Sequence, residues 1–92
     1  MPNAHIKFIH FTPHFLKSFQ KLHPHIQKLA KKKEALFLEN PFNHRLRTHK
    51  LKGELSGSWA YSIDREHRVL FRFLNGEEVI YYDIGTHDIY KL

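Results

Sequence analysis

Residues 58–73 read Ser-Trp-Ala-Tyr-Ser-Ile-Asp-Arg-Glu-His-Arg-Val-Leu-Phe-Arg-Phe, and their period decides the fold. Trp59, Tyr61 and Ile63 alternate with Ala60, Ser62 and Asp64, and Val69, Phe71 and Phe73 alternate with Arg68, Leu70 and Arg72. Such alternation buries one side of a strand and wets the other. The two runs are therefore a β-hairpin that turns through Asp64-Arg65-Glu66-His67. Asn75-Gly76 is a second turn signal, leading into a last strand over residues 79–84. On the other side, residues 46–52 read as an earlier strand closed by Gly53.

Toward the N-terminus the period lengthens. Ile6, Phe8 and His10 alternate with Lys7, Ile9 and Phe11 as a first strand, after which Thr12-Pro13 supplies an N-cap and a first-turn proline. Leu16, Phe19 and Leu22 recur at helical spacing until Pro24 forces His23 out of the helical region. A second helix starts at Pro24, and Ile26, Leu29, Ala30, Leu36 and Phe37 carry its apolar face up to Asn40-Pro41. Lys28, Lys31 and Lys32 lie off that face, while Lys33 falls within it and must lay its stem along apolar surface to keep its ammonium in water.

The order strand, two helices, then strands predicts an α+β fold. An N-terminal strand and a helix hairpin pack on one face of a largely antiparallel four- to five-stranded sheet. Parity then sorts the side chains. Trp59, Tyr61, Ile63, Val69, Phe71, Phe73, Ile80, Tyr82 and Ile84 are expected in the core. Ser62, Asp64, Arg68, Leu70, Arg72, Tyr81 and Asp83 are expected on the uncovered face. Guanidinium groups beside an aromatic ring suit phosphates and stacked bases, and a plain solvated face with cross-strand Arg–Asp pairs fits the same pattern.

Ninety-two residues, 41% of them hydrophobic and 14% aromatic, supply one compact core, so residues 1–92 read as a single domain. Without cysteine there is no disulfide, thiolate metal site or thiol nucleophile, which fits a reducing, cytoplasmic setting. No stretch approaches the roughly 20 apolar residues of a membrane span, and the first residues lack a signal-peptide pattern. Fifteen Lys+Arg against nine Asp+Glu give a net charge of +6, to which nine histidines add in acid. That balance favours a polyanion or an acidic partner. Four of the nine residues His44 to Lys52 that begin the basic segment are lysine or arginine, which serves phosphate contact and edge-strand protection equally well. Neither His10-x-x-x-His14 nor His23-Pro24-His25 has a metal-site spacing, and no phosphate-cradling glycine loop or nucleophile elbow is present.

Four pieces in register carry a resemblance: Lys50-Leu51-Lys52-Gly53, Gly57-Ser58-Trp59, Ile63-Asp64-Arg65-Glu66-His67-Arg68-Val69-Leu70-Phe71 and Ile84-Gly85-Thr86-His87. The chain resembles the RelE/ParE superfamily of type II toxins, and within it the YoeB/YafQ-like mRNA interferases. The resemblance implies the RelE-like fold and a toxin that enters the ribosomal A site, meets mRNA and rRNA there and cuts the mRNA without metal or other cofactor. It also implies silencing by a cognate antitoxin, with operator DNA engaged only through the antitoxin complex. By the same resemblance His49 is the general base, Arg68 stabilises charge on phosphorus, His87 is the general acid and Tyr90 stacks on or orients the nucleotide. Which histidine is base and which acid stays open. Lys50, Lys52 and Arg72 are the expected phosphate contacts, with Tyr81 as a further substrate-binding residue. Ser62 and Asp64 stand where RelE-like members carry catalytic lysines, so the RelE form of catalysis is not expected. The alternative is a ParE-like inhibitor of DNA gyrase with no nuclease activity.

Overall fold

The computed structural model describes residues 5–90. Its elements are β1 (Phe8–Phe11), α1 (Pro13–Lys21), α2 (Pro24–Glu39), β2 (His49–Lys50), β3 (Trp59–Ser62), β4 (Arg68–Phe73) and β5 (Glu78–Gly85). Short 3-10 turns occupy His44–Leu46, Gly53–Leu55 and His87–Tyr90. The five strands form one sheet in the order β1-β5-β4-β3-β2, in which β1 runs parallel to β5 and every other pairing is antiparallel.

Both helices begin where the prolines place them. Thr12 Oγ1 accepts from the Phe15 amide at 3.0 Å and donates to the Tyr82 carbonyl at 3.1 Å, so one hydroxyl caps α1 and ties it to β5. At α2 the cap is unusual: His23 Nδ1 accepts from the His25 amide at 3.0 Å. Gln27 Nε2 then donates to the Phe19 carbonyl at 2.8 Å, satisfying a C-terminal group of α1 and closing the hairpin.

α2 contributes the centre of the core. Phe37 is fully buried, with ring centroids 4.7 Å from Tyr61, 5.0 Å from Phe71 and 5.8 Å from Tyr81. Phe42, Trp59 and Phe73 form a second, half-exposed aromatic group at the rim.

Parity places β3 and β4 as expected but fails at β5. The β4–β5 register shifts so that Leu70 lies opposite Asp83 while Phe71 lies opposite Tyr81, leaving Tyr82 without a partner. This bulge inverts inside and outside before it. Val79 and Tyr81 point into the core, Ile84 returns to it after the bulge, and Ile80 and Tyr82 are only half-buried. Tyr81 is therefore not an uncovered-face residue: it is 1% exposed, and its hydroxyl lies 2.9 Å from that of Tyr61. Burial pushes both hydroxyls well above the ordinary tyrosine range, so neither trades protons near neutrality.

Two further expectations are corrected. The segment 46–52 is not one strand, because the turn at His44–Leu46 and the positive φ values of Arg47 (52°) and Gly53 (69°) leave only His49–Lys50 paired. Nor is the second sheet face bare. The cleft between Leu55, Leu70, Arg72 and Tyr82 shows the Gly53–Leu55 turn folded over it. At its other end a Cβ on Gly85 would lie 3.1 Å from Ile89 Cγ2, so Ile89 rests directly on Gly85. Among the described residues no helix is long and apolar enough to cross a membrane.

Candidate active site

The strand register sorts the residues of the face opposite the helices. In register, Ser62, Arg68 and Gly85 form one row, and His49, Ala60, Leu70 and Asp83 form the next. Cross-strand partners share a face, so His49 and Arg68 lie on the same side of the sheet, and Ile89 rests on the glycine beside Arg68.

Arg68 is held by the turn beneath it. Its Nη1 donates to the Asp64 carbonyl at 2.7 Å and the His67 carbonyl at 3.1 Å. That turn is in turn fixed by the Asp64 carboxylate, which accepts from the Glu66 and His67 amides at 2.9 and 2.7 Å and from His67 Nδ1 at 3.0 Å. Burial works to raise the Asp64 pKa, but these hydrogen bonds outweigh it and hold the carboxyl below its ordinary value. A guanidinium anchored to carbonyls on one side keeps its remaining N–H groups fixed for an anion.

The C-terminal turn completes one wall. Because Gly85 has no side chain, Ile89 packs down and brings His87 and Tyr90 to a cleft that they share with Arg65, Glu66, Arg68 and Thr86. His87 is exposed, with Nε2 3.8 Å from Asp88 Oδ1. Tyr90 is half-buried; burial raises its pKa against the opposing effect of the Arg68 charge, so its phenol stays protonated.

His49 stands across the sheet on β2. Its Nδ1 lies 3.0 Å from the Arg47 carbonyl. A carbonyl only accepts, so Nδ1 carries the proton in the neutral ring and Nε2 keeps a free lone pair. Strands β2 and β5 are three spacings apart, roughly 14 Å at about 4.8 Å per strand.

The other residues singled out from sequence are dispersed. Lys50 pairs with Trp59 and so faces the opposite side of β2 from His49. Lys52 is exposed at the edge of the Gly53–Leu55 turn. Arg72 is on the Arg68 side but further down β4, where its Nε donates to Ser58 Oγ at 3.3 Å. Tyr81 is in the core. The structure thus brings Arg68, His87 and Tyr90 together, sets His49 on the same face, and leaves Lys50 and Tyr81 away from it.

A second group comes together only in the fold. Lys33 of α2, Arg45 and Arg47 of the short turn, and Arg65 and Arg68 line one polar cleft together with Ser62, Ile63 and Asp64. Their separation in sequence hides this convergence, although the basic run around His44 is its visible part. Arg47 sits at φ 52°, ψ 39°, a left-handed conformation that costs a residue with a Cβ about 1 kcal/mol.

Strand order, the parallel β1, the helix hairpin and the C-terminal turn define a RelE-like fold, the fold of the RelE/ParE-superfamily toxins. No family model and no curated protein matches the sequence. Solved structures do match by shape. A YoeB/ParE toxin from Agrobacterium tumefaciens superposes with a TM-score of 0.74 at 19% identity, covering 88% of this chain and 99% of that one. YafQ from E. coli strain BL21(DE3) gives 0.75 at 14% identity, covering 91% and 97%. The toxin-antitoxin complex RelBE2 from Mycobacterium tuberculosis gives 0.75 at 18% identity, covering 95% of each chain.

Proposed function

We propose that this protein is the toxin of a type II toxin-antitoxin pair and acts in the cytoplasm as a ribosome-dependent mRNA endonuclease. The observation that carries the reading is the cleft in which a backbone-anchored Arg68 meets His87 and Tyr90, on the same sheet face as His49. The chemistry needs two proton-transfer groups and a fixed cation. His49 Nε2 takes the proton of a ribose 2′-hydroxyl, and the freed oxygen attacks the adjacent phosphorus. Arg68 stabilises the added negative charge on the pentavalent phosphorus, and His87 gives a proton to the departing 5′-oxygen. The products are a 2′,3′-cyclic phosphate and a 5′-hydroxyl. Tyr90 stays protonated and orients or stacks on the nucleotide, while Lys52 and Arg72 add phosphate attraction at the margins. None of these steps calls for a metal or organic cofactor.

A net charge of +6 favours both rRNA and an acidic antitoxin segment. The test is primer extension on a defined mRNA in a purified translation reaction, with and without ribosomes. Cuts that require both the protein and ribosomes support the reading. Intact mRNA in every lane, with gyrase supercoiling inhibited in a parallel assay, would move the protein to the ParE-like class.

A further inference from the structure

Two clefts adjoin at Arg65 and Arg68. Arg65 and Arg68 line both, with His87 and Tyr90 at one end and Lys33, Arg45 and Arg47 at the other. At the second end the charge is uncompensated. Among the described residues none of Lys33, Arg45, Arg47 or Arg65 takes part in an ion pair. Asp64, whose carboxylate lines that half, has Oδ1 engaged by two amides and the His67 ring. Arg47 adds an independent sign of function. Its left-handed backbone is a place where glycine or asparagine is at ease, yet an arginine stands there and turns its side chain into the cleft.

We propose that this basic end is a second phosphodiester site, in which Lys33, Arg45 and Arg47 hold the phosphate next along a single RNA strand from the one at Arg68. The identity of the ligand as RNA rests on the ribonuclease reading above. The phosphate chemistry rests on the cleft itself. Guanidinium forks match the two non-bridging oxygens of a phosphodiester. Among the described residues Ile63 is the only apolar side chain lining this half, whereas a docked peptide needs apolar anchors. The strand would run from the cleft of His87 and Tyr90 past Arg68 to that of Lys33, Arg45 and Arg47. Arg47 and its neighbours are binding residues and take no part in proton transfer.

The experiment is fluorescence anisotropy of a labelled single-stranded RNA decamer, 2′-O-methylated at every ribose so that it cannot be cut, titrated at several salt concentrations. Wild type is compared with Arg47→Gly and with the double variant Lys33→Gln, Arg45→Gln. Each lost phosphate contact is expected to flatten the slope of log affinity against log salt by about 0.7. We expect Arg47→Gly to weaken binding about tenfold at low salt, in line with the loss of a charge-assisted contact. Arg47→Gly also removes a strained residue, so its Tm is expected to rise by about 3 °C, separating lost binding from lost folding. An unchanged slope and affinity in both variants would overturn the proposal. So would weakening seen only toward a polyglutamate peptide, which would assign the groove to an acidic protein. Failure of the nuclease reading shows elsewhere, as uncut mRNA on ribosomes, and leaves the salt slopes to decide the groove on their own.

Discussion

The two faces of the sheet are built from the same strands and obey opposite rules. On the helix side, Phe37, Tyr61, Phe71 and Tyr81 pack ring against ring, and the two hydroxyls buried there bond to each other. Their polar groups are spent on structure, and burial locks the protons in place. On the other face Arg68 is tethered only along its turn side, His49 keeps one ring nitrogen free, and His87 is exposed. Alternation along a strand therefore separates stability from chemistry, and substitutions at adjacent positions should have unrelated consequences.

The sharpest break is in the core. Phe37→Ala is expected to destabilise the protein by about 3–5 kcal/mol, enough to unfold most of a domain this size, as read by urea denaturation. Next comes Arg68→Gln, which removes charge from the other face. It is expected to lower cleavage in the ribosomal assay by about a hundredfold or more, with a urea midpoint close to wild type. A large stability loss in that variant would mean that its tethers to Asp64 and His67 matter more for folding than for charge.

Gly85→Ala tests the join between the faces. The new methyl group meets Ile89 at 3.1 Å, so the turn carrying His87 and Tyr90 must move. Stability should fall by about 1 kcal/mol, and activity should fall further than that loss explains. The smallest effect concerns pH. Asp64 has a depressed pKa when folded, so its stabilisation is complete above its unfolded value near 3.8 and disappears as pH falls through the lower folded value. Asp64→Asn should therefore lose less stability than wild type between pH 5 and pH 2, measured by thermal melts along the acid limb.

The same contrast governs how much was legible in the sequence. Prolines 13 and 24 fixed both helix starts, and alternation over 59–73 placed β3 and β4 on the correct faces. The bulge at Tyr82 was not legible, because no glycine or proline marks it, and it reversed Val79 through Tyr82. The fragmentation of residues 44–55 was hidden because Arg47 adopts a conformation that its residue type disfavours. Arg68, His87 and Tyr90 were singled out by resemblance, and their meeting depends on Ile89 folding onto Gly85. The convergence of Lys33 with Arg45, Arg47 and Arg65 is a tertiary fact, joining a helix to two turns that nothing in the local pattern connects.

One measurement reaches the central claim most directly: primer extension with ribosomes, run side by side on His87→Ala and Tyr81→Phe. Both proteins should fold, Tyr81→Phe with a loss of about 1 kcal/mol from the broken hydroxyl pair. The expected result is near wild-type cutting by Tyr81→Phe and almost none by His87→Ala. Full-rate cutting by His87→Ala, or a folded Tyr81→Phe that no longer cuts, would contradict the separation of the two faces.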